Sequence, residues 1–194
     1  MGDYPTAPGP RLVVAVDQSA SAYQAAAWAA ATAAMHRWPL HILTAIGLSE
    51  IYGPGVSPSE ADVEWLRRDG ERTVTEAATI ARETVPGEEL RISTEVAFDQ
   101  VAPLLIERSK SASVLAIGSR GTGAFRHGLL GSVATTVTRH AHCPVAVIHE
   151  TAGQSEDWKA RPVLVGVDST ANSRPAVEMA FAEASLRKVG LTAL

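Results

Sequence analysis

The chain has one cysteine, Cys143, no excess of positive charge, and no apolar run near the ~20 residues needed to span a bilayer. A lone thiol excludes an internal disulfide and suits a reducing cytoplasm, where the protein is expected to reside. Lacking a long apolar run, it is expected to have no membrane partner. Lys and Arg number 17 against 21 Asp and Glu, a net charge of −4. Non-specific nucleic-acid binding needs a basic surface that displaces counterions, so no nucleic-acid partner is expected. The opening MGDYPTAPGPR lacks a basic segment leading into an apolar one, so it reads as a disordered arm and not a secretory signal. What remains is ordinary globular composition, 46% hydrophobic and 20% charged over 194 residues. That length allows one domain of about 150 residues and a remainder.

Two familiar nucleotide signatures are missing as well. A P-loop requires Lys then Ser or Thr after its second glycine, but Gly128 is followed by Leu129 and Leu130. A dinucleotide fingerprint requires Gly at its sixth position, where Gly121 and Gly123 are followed by Arg126. Residues 114–148 instead read VLAIGSRGTGAFRHGLLGSVATTVTRHAHCPVAVI: a short apolar run, a loop rich in Gly and Arg, and a helical segment from Ser132. Glycines at 118, 121 and 131 would permit positive φ or a close approach to a ligand. Ser132 would offer a hydroxyl and the first free amides of a helix, which favour an anion.

The spacing Gly118, two residues, Gly121, nine residues, Gly131-Ser132 resembles the ATP-binding motif of the universal stress protein family, and the RHAHCPV that follows resembles that family's last helix-to-strand turn. A glycine-rich turn of any α/β protein is the plain alternative, and four positions at fixed spacing weigh against it. The resemblance implies ATP, with Mg²⁺, as cofactor. Carried over residue by residue, it assigns Asp17 to the adenosine part and Ala45 to backbone reading of the adenine edge. Gly118, Gly121, Gly131, Ser132 and Val133 become ribose and phosphate binders, and Ser119 a further hydroxyl. Arg120, Arg126 and His127 could add charge, although a solvated loop charge is the default reading.

The remainder of the chain alternates strand and helix. Residues 12–16 (LVVAV) read as a buried parallel strand ending at Asp17. An alanine-rich helix follows, capped by Ser19 or Ser21 and stopped by Pro39, then a strand over 40–46. Residues 47–58, with Gly53, Pro54, Gly55 and Pro58, read as a mobile loop. A helix is predicted over 59–85, weakened at Gly70 by roughly 1 kcal/mol relative to Ala. Residues 90–96 alternate, with Leu90, Ile92, Thr94 and Val96 on one face, which predicts an edge strand. Asp99 is expected to cap a helix through Ala112, its apolar stripe turned to the sheet. Strands over 113–118 and 145–148 complete a doubly wound, Rossmann-like α/β fold, whose ligands bind beyond the carboxyl ends of strands. The resemblance adds the strand order 3-2-1-4-5 and pairing of the last strand with its counterpart in another domain. A homodimer through Val145–Ile148 is therefore expected.

The sequence then starts again. Past a polar linker over 151–161, Val165, Val167, Asp168, Ala180 and Leu191 match Val14, Val16, Asp17, Ala29 and Leu40 at constant offset. This predicts a complete domain over 11–150 and, over 162–194, the truncated start of a second copy. The tandem arrangement likewise resembles the family.

Other chemistry is weaker. His140, His142 and Cys143 lack a second ligand pair for a metal site and fit the cationic end of a helix. Cys143 reads as a buried, inert thiol. Trp28, Trp38, Trp65 and Trp158 read as packing or interface residues. Ser132, His127 and Asp17 could be combined into a hydrolytic set, but nothing in the sequence orients them. Three functional classes follow: a nucleotide-dependent regulator of stress, dormancy or growth, a slow ATPase or adenine-nucleotide hydrolase, and a dimeric signalling module that works without nucleotide.

Overall fold

The computed structural model describes residues 9–53, 55–121, 130–149, 156–168 and 170–194. The chain divides into two compact units, Met1–Ala152 and Gly153–Leu194.

The first unit is a parallel sheet of five strands, β1 (Leu12–Ala15), β2 (Leu40–Ala45), β3 (Ile92–Ala97), β4 (Val114–Gly118) and β5 (Val145–Ile148). Their order is β3-β2-β1-β4-β5, as the resemblance implied. Leu12 pairs with Leu40 on one side and Val114 on the other, so β1 is central and the order reverses between β1 and β4. Helices α1 (Ala20–His36) and α3 (Glu60–Thr84) pack together against one face. Helices α4 (Val101–Ser109) and α5 (Ser132–His140) cover the other, where Leu104, Leu105, Ala134 and Val137 close on Val13, Leu43, Leu115 and Ile117. Alternation of side chains along each strand sends Leu12, Val14 and Ile42 to the opposite face, all fully buried.

Several boundaries differ from expectation for local reasons. Ser19 caps α1, accepting the Ala22 amide, and the helix ends where Arg37 turns left-handed (φ 56°), before Pro39 is reached. The stretch 47–58 contains a short helix, α2 (Leu48–Tyr52), which Gly53 ends at φ 87°. Gln100, not Asp99, is the N-cap of α4; Asp99 only accepts the Gln100 amide, at 2.7 Å. Gly70 of α3 is a close-approach position: a Cβ there would lie 2.7 Å from Val96 Cγ1. Its helical cost is offset by letting α3 settle on β2 and β3.

The largest departure is β3. Thr94, expected inside, is exposed, and Glu95 is buried at 7% exposure. Glu95 accepts from Arg108 Nη2 at 2.5 Å and Nε at 3.2 Å, and lies 3.0 Å from His41 Nε2. His41, 2% exposed, also meets the Ser93 hydroxyl through Nδ1 at 2.9 Å. A neutral imidazole satisfies both contacts, Nε2–H donating to Glu95 and Nδ1 accepting from Ser93.

The second unit contains a short 3₁₀ turn (Glu156–Ala160), β6 (Val163–Val165), α6 (Arg174–Arg187) and β7 (Leu191–Ala193). Val163 pairs with Leu191 as Leu12 pairs with Leu40, at the offset of the sequence repeat. Asp168 Oδ1 accepts the Thr170 amide and hydroxyl at 3.0 and 2.7 Å, as Asp17 Oδ1 accepts those of Ser19 at 3.0 and 2.5 Å.

The buried Glu95 cluster makes stability depend on pH. Burial pushes His41 below its ordinary 6.5, against the pull of Glu95. Burial would raise the Glu95 carboxyl, but hydrogen bonds from Arg108 and His41 hold it below 4.5. Both groups are depressed, so each contribution is present above the ordinary value and lost as pH falls through the folded one. Denaturant unfolding should lose stability below pH 6.5, and again below 4.5. At pH 7, Glu95→Ala should cost about 3 kcal/mol by removing the buried carboxylate that Arg108 and His41 share. An acid profile of Glu95→Ala that overlays the parent's would contradict the assignment.

Candidate functional site

Parallel pairing of β1 with β4 sets the loops after Ala15 and after Gly118 side by side. Hydroxyls from the start of α1 then bind them together. Ser21 Oγ donates to the Arg120 carbonyl at 2.6 Å, and Ser19 Oγ lies 3.1 Å from the same oxygen. On the far side the Gly131 amide donates to the Ser119 carbonyl at 2.9 Å, and the Ser119 amide to Ile148 at 2.8 Å. The β1–α1 loop is also held to α3. Gln18 Nε2 donates to Asp69 Oδ2 at 2.5 Å and lies 3.3 Å from Thr73 Oγ1. One turn further, the Tyr23 hydroxyl donates to Glu76 at 2.7 Å. Burial and that carboxylate raise the Tyr23 phenol to about 12.

These loops enclose a cavity of about 500 Å³ at the carboxyl ends of the strands. Asp17, Ala45, Gly118, Gly121, Gly131, Ser132 and Val133 all line it. Ser119 does not: it is fully buried beneath the loop, and its hydroxyl has no hydrogen-bond partner among the described residues. Arg120, taken above as a solvated charge, is half-buried and lines the cavity. Arg126 and His127 lie outside the described residues. The sequence reading missed the apolar wall of Val101, Leu105 and Ile117. Leu105 and Ile117 also belong to the core, so periodicity marked them only as packing positions.

The glycines serve different purposes. None of Gly118, Gly121 and Gly131 has positive φ, and at the first two the chain itself makes the close approach. A Cβ on Gly118 would lie 2.6 Å from Ser21 Oγ and 2.9 Å from the Ala22 amide nitrogen, so this glycine admits α1. A Cβ on Gly121 would lie 2.6 Å from Asp17 Oδ2, so this one keeps the carboxylate and the loop together. A Cβ on Gly131 meets no atom of the described residues nearer than 3.6 Å.

The electrostatics are those of an anion cradle with one carboxylate at its rim. Gly131 is the N-cap of α5 and supplies no side-chain cap, so the amides of Ser132, Val133 and Ala134 have no intrahelical acceptor. All three residues line the cavity at the positive end of α5, with the Arg120 side chain nearby. Asp17 is the lone acidic residue among the described lining. The cavity thus combines an apolar wall, a carboxylate and a helix start whose first amides have no intrahelical acceptor. It could seat a ligand with a flat apolar part and an anionic tail.

The HxHC stretch lies elsewhere. His140 and His142 are exposed, the His142 amide donates to Ser109 Oγ at 2.8 Å, and burial raises the Cys143 thiol. Among the described residues no three His, Cys, Asp or Glu side chains are grouped to hold a metal. Nor is any described helix long and apolar enough to cross a membrane. Trp65 is exposed at 64%, while Trp38 stacks on His36 at 4.2 Å.

Comparison with known proteins agrees with this architecture. The model of the universal stress protein family matches residues 10–149. A universal stress protein of Mycobacterium tuberculosis is 37% identical over 184 residues, 94% of this chain and 62% of the relative. The chain therefore spans about three fifths of the length of the curated relatives it matches. A universal stress protein of Archaeoglobus fulgidus shares the fold at TM-score 0.73 and 20% identity, over 94% of this chain and 65% of that one. A universal stress protein solved in complex with cAMP superposes at TM-score 0.50 and 25% identity, over 74% of this chain and 99% of that one. On the family match, the Mycobacterium relative and the shared strand order, this chain belongs to the universal stress protein family.

Proposed function

We propose that the chain binds ATP, with Mg²⁺, in the cavity between the Asp17 and Gly118 loops, and acts as a nucleotide-dependent regulator in a cytoplasmic stress, dormancy or growth-control response. The observation that carries this reading is the start of α5, whose first amides have no intrahelical acceptor and whose residues line the same cavity as Asp17 and Ala45. Asp17 and Ala45 would hold the adenosine part against Val101 and Leu105. Gly131, Ser132, Val133 and Arg120 would hold the phosphates, whose charge Mg²⁺ partly neutralises. The cAMP bound by a relative supports an adenine nucleotide as the ligand class.

Binding is favoured over hydrolysis by what surrounds Asp17. Its Oδ1 is held by the Ser19 amide and hydroxyl, and no histidine is among the described lining. Asp17 is thus the one acid–base group among those residues, and its engagement in the β1–α1 turn favours a ligand-holding role. Dimerisation is proposed through β5, an edge strand with Val145, Val147 and Ile148 half-buried and only β4 beside it. Residues 162–194 are proposed as the opening strand, helix and second strand of another such domain, reached through the linker 151–161. The repeated register and the repeated Asp-to-hydroxyl turn support that division.

ATP at about 100 times its Kd should stabilise the nucleotide-free protein by about 2.7 kcal/mol, read as a rise in Tm. No rise at millimolar ATP with Mg²⁺ would overturn the proposal.

The glycines separate site from scaffold. Gly121→Val should weaken ATP binding at least about tenfold by displacing Asp17, and Gly131→Val should do so by shielding the α5 amides with a side chain. Gly118→Ala should instead lower the Tm of the nucleotide-free protein, because its Cβ meets α1. Calorimetric titration paired with thermal melts reads both effects. Unimpaired ATP affinity in Gly121→Val and Gly131→Val would reduce the loop to a turn.

A further inference from the structure

The opposite end of the sheet carries a second cavity, of about 470 Å³, at the amino ends of β1, β2 and β3. Three arginines line it, Arg11 just before β1, Arg37 just after α1 and Arg91 just before β3, and no carboxylate does among the described residues. Arg11 is 6% exposed. Arg37 and Arg91 are exposed at the rim, and neither forms an ion pair with a described residue. Arg37 stands at the negative end of α1, where the Ala33 and Ala34 carbonyls accept the Trp38 and Arg37 amides at 2.9 and 3.1 Å. Behind the cavity, Glu95 is engaged by Arg108 and His41. The rest of the cavity's lining is Pro39, Leu40 and Ile92, with Gly9, Pro10 and the polar His41 and Ser93.

A solvated arginine face needs no cavity, and a buried core needs no arginine. Here three arginines line a half-open, mostly apolar cleft of ligand size. We propose that this cavity is a second ligand site, for a small organic anion with a phosphate or carboxylate head on an apolar body. The head is held by Arg37 and Arg91 through charge-assisted hydrogen bonds, with the Arg11 charge nearby, and the body lies on Pro39, Leu40 and Ile92. The site lies at the far end of the sheet from the candidate nucleotide cavity, shares no lining residue with it, and stands whether or not ATP binds there.

Phenyl phosphate is the probe, with inorganic phosphate and phenol as head-only and body-only controls. Titrated into the full chain at millimolar concentrations, it should shift the amide resonances of Arg11, His41, Arg91 and Ser93. Effects at Gly121 or Ser132 would report the other cavity and are read apart by position. Each control should bind more weakly. The double variant Arg37→Glu, Arg91→Glu should weaken phenyl phosphate binding by about tenfold or more, with Tm unchanged since both residues are exposed. Arg37→Lys, Arg91→Lys should keep most of the affinity. The proposal is overturned if those amides do not move, if phenol or inorganic phosphate binds as tightly as phenyl phosphate, or if the charge-reversed variant binds like the parent.

Discussion

The Arg120 carbonyl is the point on which the candidate site depends. Ser21 Oγ donates to it at 2.6 Å and Ser19 Oγ stands 3.1 Å away, so the start of α1 is fastened to the loop after β4. That contact requires β1 and β4 to be neighbours, and it requires Gly118, since any Cβ there would strike Ser21 and the Ala22 amide. The alanines of α1 meet the same demand along its length. Ala22, Ala25, Ala26, Ala29, Ala30 and Ala33 are all buried, and a larger side chain at these positions would lift the helix off the sheet. With α1 seated, Gly121 comes up against Asp17, and α5 begins with its first amides facing the cavity. The described ends of these loops are therefore tied to each other by the chain's own hydrogen bonds.

How much of this could be read beforehand follows from how local each feature is. Strands β1 and β2 and helices α1 and α3 announce themselves through apolar runs, periodicity, a Ser cap and Gly or Pro punctuation, which are properties of neighbouring residues. Adjacency of β1 and β4 joins residues a hundred positions apart, and it came only with the family resemblance. Glu95 was missed for the same reason. Between Thr94 and Val96 on an edge strand, a glutamate reads as solvent-facing, but its partners His41 and Arg108 arrive from β2 and α4. Glycine spacing marked the loop that lines the cavity without saying what required the space. At Gly118 that turned out to be α1, and at Gly121 the Asp17 carboxylate. Leu105 was invisible as a lining residue because an apolar stripe looks the same whether it faces a core or a cavity.

The second unit reuses the grammar of the first on a smaller scale. The β6–β7 register and the Asp168–Thr170 turn repeat β1–β2 and Asp17–Ser19. A strand that ends in Asp followed two residues later by a hydroxyl is thus a self-contained device: the carboxylate orders the turn by accepting the hydroxyl and its amide. In the first unit the same aspartate also lines a cavity, because β4 and its glycine loop stand alongside.

The central claim is that ATP sits across the Asp17 and Gly118 loops and engages the start of α5. Amide hydrogen exchange with and without saturating ATP and Mg²⁺ tests it most directly. The account requires exchange to slow at Gly121 and over Ser132 to Ala134, with little change in the second unit. Slowing confined to other segments, with the amides at the start of α5 exchanging as freely as before, would contradict it.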